Sequence, residues 1–201
     1  MSRTDSEGDE SLAPRRILEA AARQILAGGA ADLALSDVAR EAGISKALIH
    51  YHFRDKETLL SRVVDHIAHD LVARERKALA PYVRQHNPLA VDALWQWLEG
   101  ELQRGDIRVL LELDSCRGAT IQTAARQAAE LRRAAAKETV ERLFTILELR
   151  PRIESSLIAN VFVAFVDGLA VDAGLSVDDG NASASRVAFD VFWLAMLSLA
   201  E

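Results

Sequence analysis

The sequence predicts an all-α protein, a small N-terminal helical head followed by a larger helical body, with about nine helices in all. Three observations carry this. Glycine and proline are scarce, at 10 and 4 of 201 residues, while alanine and leucine dominate, a composition that favours long helices. Apolar residues recur at helical spacing along most of the chain. No run of alternating β-branched residues bounded by turn signals marks a strand. Half of the residues are apolar, enough for a real core.

The elements follow in order. Residues 1–11 set Arg3 against Asp5, Glu7, Asp9 and Glu10 and read as a disordered acidic arm. Ser11 is placed to cap a first helix running to about Ala27, with Ile17, Leu18, Ala21, Ala22 and Ile25 as its buried stripe. Gly28 and Gly29 end it. Ser36 then reads as the N-cap of a short helix, and Gly43 stops that helix, because glycine takes the left-handed cap conformation without steric cost. Ser45 caps a second short helix. Two N-cap serines around a glycine, with only small or apolar residues between, are the local chemistry of a helix-turn-helix.

On the second of these helices Ile49 and Phe53 fall one turn apart and face the core. Lys46, Ala47, His50 and Tyr51 point away from it and form an outward face without a carboxylate. A solvated face normally mixes both signs of charge. This one suits a DNA major groove, where its groups can bond phosphates and base edges and an alanine can touch a thymine methyl.

Asp55 is the expected N-cap of a long connecting helix over residues 56–80, with the stripe Leu60, Val63, Val64, Ile67 and Leu71 and with Pro81 expected to stop or kink it. Lys56 in its first turn opposes the helix dipole, which suggests an anionic neighbour such as phosphate. Asn87-Pro88 opens a helix to residue 103. Gly105-Asp106 opens a short one over 107–116, and Gly118 precedes a long alanine-rich one over 120–149. The expected domains are therefore the arm 1–11, the head 12–55 and the body 56–201.

Two final helices, near 152–173 and 183–200 with a loop over 174–184, are apolar almost all round. A surface helix of a monomer should be apolar on one stripe only. Self-association explains the excess, and Leu157, Val161, Phe165, Phe189, Phe192, Trp193 and Met196 are the expected interface of a homodimer built as a four-helix bundle. Asn160, Asp167, Asp172 and Asp190 interrupt both segments and make them poor membrane spans.

Charge is uneven around a net −6. Residues 12–60 hold seven Lys/Arg against six Asp/Glu, while residues 61–201 hold sixteen against twenty. Such a chain does not coat nucleic acid by bulk charge; it presents a small shaped patch. The lone Cys116 excludes an internal disulfide and a cysteine zinc cluster. His66 and His69, near Asp65 and Asp70, lie on a solvated face and lack a third ligand in sequence, so no metal is expected. There is no glycine-rich phosphate loop, serine elbow or paired carboxylate–histidine motif, and neither an enzyme nor a cofactor is expected. The polar N-terminus lacks a signal-peptide core, which points to the cytoplasm.

Residues 16–60, RILEAAARQILAGGAADLALSDVAREAGISKALIHYHFRDKETLL, resemble the DNA-binding head of the TetR family of bacterial transcriptional regulators. The RILEAA opening, the SDVAREAGIS core, the His52-Phe53 pair and Lys56-Glu57 with Leu59-Leu60 carry the likeness, and Asp167-Gly168-Leu169 echoes a turn common in that family's penultimate helix. The resemblance implies a homodimer on a near-palindromic operator in double-stranded DNA. It also implies a variable C-terminal domain that binds a small-molecule effector and then releases the DNA. One departure stands out: the family's usual tyrosine, five residues after the serine opening the recognition helix, is here His50, and Tyr51 follows it. Lys46 and Tyr51 are the expected base or phosphate contacts and Ala47 a shape contact. Ser36, His52 and Lys56 are expected on phosphates, and Ser45 acts as a cap that can also bond one. For the effector cavity the candidates are Trp95, Trp97, Cys116, Phe144 and Phe162, with Asp114 and Arg117 as orienting polar groups.

Overall fold

The computed structural model describes residues 4–175 and 181–201, with side chains over 12–175 and 183–201. Among the described residues it has nine helices: α1 (Thr4–Gly28), α2 (Leu35–Ala42), α3 (Lys46–His52), α4 (Lys56–Arg84), α5 (Ala90–Arg104), α6 (Asp106–Asp114), α7 (Ala119–Ile146), α8 (Ser155–Leu175) and α9 (Asn181–Ser198). The one β contact is an isolated antiparallel bridge of Pro151 with Ala200. It is flanked by reciprocal bonds between the backbones of Arg150 and Glu201, both 3.0 Å.

Several boundaries differ from expectation. Of the arm expected to be disordered, residues 1–3 lie outside the described residues, and α1 begins at Thr4 rather than at Ser11. An acidic sequence ahead of Pro14 suits the positive end of a helix dipole, so the helix can start early. Pro81 does not stop α4, which continues to Arg84; close to a C-terminus a proline forfeits only one intrahelical bond. Ser36 is not a cap. Ala34 holds that position with extended backbone and no side-chain bond, and α2 already begins at Leu35. Asn87 is not the cap of α5 either: its side-chain oxygen accepts the Leu89 N–H at 3.0 Å in the preceding turn, Leu89 holds the cap position and regular helix begins at Ala90. Of the loop expected over 174–184, residues 176–180 lie outside the described residues, and the rest belongs to α8 and α9.

The chain forms two compact units, residues 1–67 with 109–128 and residues 68–108 with 129–201. The division expected after residue 55 falls inside the first unit. Its core is built by Ile17, Ala21 and Ile25 of α1, Val38 and Ala42 of α2, Ile49, Phe53, and Leu59, Val63 and Val64 of α4, together with Leu113 and Ile121. Two carboxylates tie the later segment in: Glu112 accepts the Ala30 N–H, and Glu57 accepts the Thr120 N–H at 3.0 Å.

In the second unit Leu94, Leu98, Leu143, Ile158, Phe162 and Phe189 are buried. The partly buried Arg74 guanidinium reaches both Glu101 and Asp106 at 2.7 Å. Aromatic rings fill the space where α5, α8 and α9 meet: Trp95 with Phe189 (5.3 Å between centroids), Phe162 with Phe192 (5.6 Å) and Phe165 stacked on Phe192 (4.7 Å). Among the described residues α8 is the one helix long and apolar enough to cross a membrane. Its Ile158, Phe162 and Val166 are buried in the unit, and its Asp167 is paired with Arg132.

Candidate functional site

The recognition segment is held by local chemistry on both sides. Gly43 takes φ 67° and its N–H reaches back into α2, while the Ile44 N–H bonds the Ala39 carbonyl at 3.0 Å. Arg16 of α1 donates to the Ala42 carbonyl at 2.6 Å, satisfying a helix-end acceptor that sequence reading left open. Arg23 and Gln24 of α1 both bond the Glu41 carboxylate, and Arg23 foremost holds that carboxyl below its usual range. At α3 the expected cap is present: Ser45 Oγ accepts the Leu48 N–H at 3.2 Å. At α4 Asp55 accepts the Thr58 N–H at 2.7 Å, which lowers the Asp55 carboxyl from its ordinary value.

Ile49 is fully buried and Phe53 nearly so, Leu48 and His52 are half-buried, and the other four residues of α3 are turned outward. Lys46, Ala47, His50 and Tyr51 are all exposed, Tyr51 at 78%. No acidic residue lies on α3. Ser36 and Ser45 are exposed as well. Two expected phosphate contacts are placed differently. His52 is half-buried, its ring set edge-on to Tyr51 (5.1 Å) and tilted on Phe53 (6.3 Å), and its Nε2 is shielded with no hydrogen-bond partner in the protein. Lys56 Nζ donates to the Ala31 carbonyl at 2.9 Å, so its charge secures the turn between α1 and α2.

The effector candidates do not form one group. Asp114, Cys116 and Arg117 belong to the first unit; Trp95, Trp97, Phe144 and Phe162 belong to the second. Cys116 is half-buried, its thiol directed at the Glu112 carbonyl (3.6 Å) and pushed up by burial and by the Glu112 charge. Trp95 borders a surface cleft with Tyr82 and Arg186. Phe144 packs with Val140 and Ile158 in plain core. Trp97 and Phe162 share a cavity with Glu75 and Arg132. Glu75 is buried, accepts the Thr139 hydroxyl at 2.6 Å, and has its carboxyl pushed up by burial. Sequence reading missed Glu75 because nothing local distinguishes it from a solvated helix glutamate. Among the described residues no group of three or more His, Cys, Asp or Glu side chains could hold a metal.

The interface expectation needs correction. Phe189, Phe192 and Trp193 are buried in the core of their own unit, and Met196 packs on the Val140–Phe144–Ile158 cluster. The outward apolar residues are Leu157, Val161, Val171 and Leu175 on α8 and Val187, Val191 and Leu194 on α9. Phe165 is half-buried, its ring stacked on Phe192.

A short helix closed by a left-handed glycine, a serine-capped second helix and an outward face of Lys46, Ala47, His50 and Tyr51 define a helix-turn-helix DNA-binding protein. Residues 17–63 match the family profile "Bacterial regulatory proteins, tetR family". The HTH-type transcriptional regulator BetI of Agrobacterium fabrum is 28% identical over 208 residues, covering 96% of this chain and 93% of its own. A solved transcriptional regulator from Rhodococcus superposes with a TM-score of 0.74 at 20% identity, over 93% of this chain and 97% of that one. FadR of Bacillus subtilis, solved with stearoyl-CoA, gives 0.65 at 15% identity over 89% and 96%. Residues 17–63 are thus a TetR-family head, and the chain shares its fold with TetR-family regulators of known structure.

Proposed function

We propose that this regulator acts in the cytoplasm as a homodimeric repressor that holds a near-palindromic operator and releases it when a small molecule binds the second unit. The observation that carries the DNA reading is the outward face of α3, exposed and free of carboxylates. Lys46 and Tyr51 contact bases or phosphates, Ala47 fits against a base edge, and His50 takes a phosphate. Ser36 and Ser45, exposed in or beside the first turns of α2 and α3, add phosphate bonds. His52 and Lys56 hold the face in position instead of touching DNA directly.

The exposed apolar stripes of α8 and α9 support the dimer. Positions 157, 161, 171 and 175, and 187, 191 and 194, recur at helical spacing and need a partner surface. A twofold dimer places two recognition helices about one DNA turn apart, ~34–36 Å. Effector binding favours a different spacing, and α4 and α7 carry residues of both units. A coupling of ~1–3 kcal/mol changes operator affinity ~5–150-fold.

Fluorescence anisotropy with DNA flanking the protein's own gene tests the reading. Selective, salt-sensitive binding is expected. Equal affinity for scrambled DNA of the same length defeats it.

A further inference from the structure

The second unit holds a narrow cavity between α4, α5, α7 and α8. Leu71, Phe162 and Val166 give it apolar walls, and three polar groups reach it: Trp97, Glu75 and Arg132. Two of the three are already satisfied. Arg132 is ion-paired with Asp167. Glu75 accepts the Thr139 hydroxyl, and burial favours its neutral form. The third is not: Trp97 Nε1 is shielded from solvent and bonds no atom of the protein. An indole N–H can only donate, and a shielded donor without an acceptor is unfavourable. The cavity therefore lacks an acceptor, not a charge.

Resting on the effector-responsive reading above, we infer that this cavity is the effector site and that it takes an uncharged, mainly apolar molecule presenting one oxygen acceptor to the Trp97 indole N–H. A charged ligand fits poorly. A cation meets Arg132, and an anion must take Arg132 from Asp167; either gives up its hydration between apolar walls. Size supplies the coupling. The free volume is about 20 Å³, room for roughly one water. An organic molecule enters only if α4 parts from α7 and α8. Occupancy and the present packing of α4 are mutually exclusive, and a ligand that binds one of two packings shifts the population toward it. The chain enters α4 directly after the recognition helix, through the Asp55 cap.

Three matched probes test this on the purified full chain: 2-octanone, octanoate and octylammonium, titrated calorimetrically with and without operator DNA. The ketone is expected to bind at least ~10-fold more tightly than either ion and to lower operator affinity. Trp97→Phe keeps an aromatic ring and removes the donor; it should weaken ketone binding roughly 3- to 10-fold. Ala136→Val narrows the cavity from α7 and should weaken the ketone without touching the indole, which covers the case in which the Trp97 variant does not fold. Tighter binding of an ion, binding of none of the three, or ketone affinity indifferent to both variants overturns the assignment. So does ketone binding that leaves operator affinity unchanged. Failure of the regulator reading is seen separately, as loss of selective DNA binding by the ligand-free protein.

Discussion

Gly43 sits at φ 67°, and a Cβ there would stand 3.0 Å from Arg16 Nη2, the group that caps the Ala42 carbonyl. Gly43→Ala should therefore destabilise by ~1–2 kcal/mol from the left-handed backbone alone, visible as a lower urea midpoint. Tyr51 packs against little besides the edge of His52, so Tyr51→Ala should leave the melting temperature within error while weakening operator binding; unchanged affinity in anisotropy removes Tyr51 from the contact set. Glu75 behaves oppositely to a surface acid. Its carboxyl is raised mainly by burial, against the Thr139 bond and the charges of Arg76 and Arg132, with Glu138 adding to the rise. Over the range between its unfolded and folded values the folded state binds more protons, so stability falls as pH rises. Glu75→Gln should flatten that limb and be the more stable form at neutral pH, measured by urea titrations at a series of pH values. At this scale sequence reading reached what lies within four residues: the Ser45 cap, the Asp55 cap and the Gly43 stop all have near neighbours as partners.

Among the elements, helix starts set by chemistry close in sequence were legible, and those set from far away were not. The α7 N-terminus takes its acceptor from Glu57, 63 positions earlier, and the turn after α1 takes one from Glu112, 82 positions later. No spacing rule links such pairs. Ser36 misled for a different reason: it is a good cap by type, but the backbone enters helix at Leu35, so the hydroxyl comes two residues too late. Asp55 offers a pH test of α4. Its folded carboxyl lies below the unfolded value, so the cap stabilises above the ordinary aspartate range and is lost as pH falls through the folded value. Asp55→Asn, which keeps an acceptor but does not titrate, should show a shallower loss of stability on acidification; parallel acid limbs would deny the carboxylate that role.

For the whole molecule, apolarity said that α8 and α9 need two covered sides but not which side is the chain's own core. The aromatic residues Phe189, Phe192 and Trp193 fill that core, and the aliphatic stripe through Val187, Val191 and Leu194 is left outside. Leu194, 67% exposed, is thus a better test of the dimer than any buried aromatic. Leu194→Glu should shift the protein to monomer on a sizing column with its helical circular dichroism retained. A dimer that persists would place the interface elsewhere. The two units also do not follow the chain: residues 109–128 belong with the head through Glu57 and Glu112. A chimaera that exchanges heads between regulators at the end of the third helix would keep Glu57 with Thr120 but sever the bond of Ala30 to Glu112. Grafts intended to transplant operator choice should therefore carry the segment around Glu112 with the helix-turn-helix.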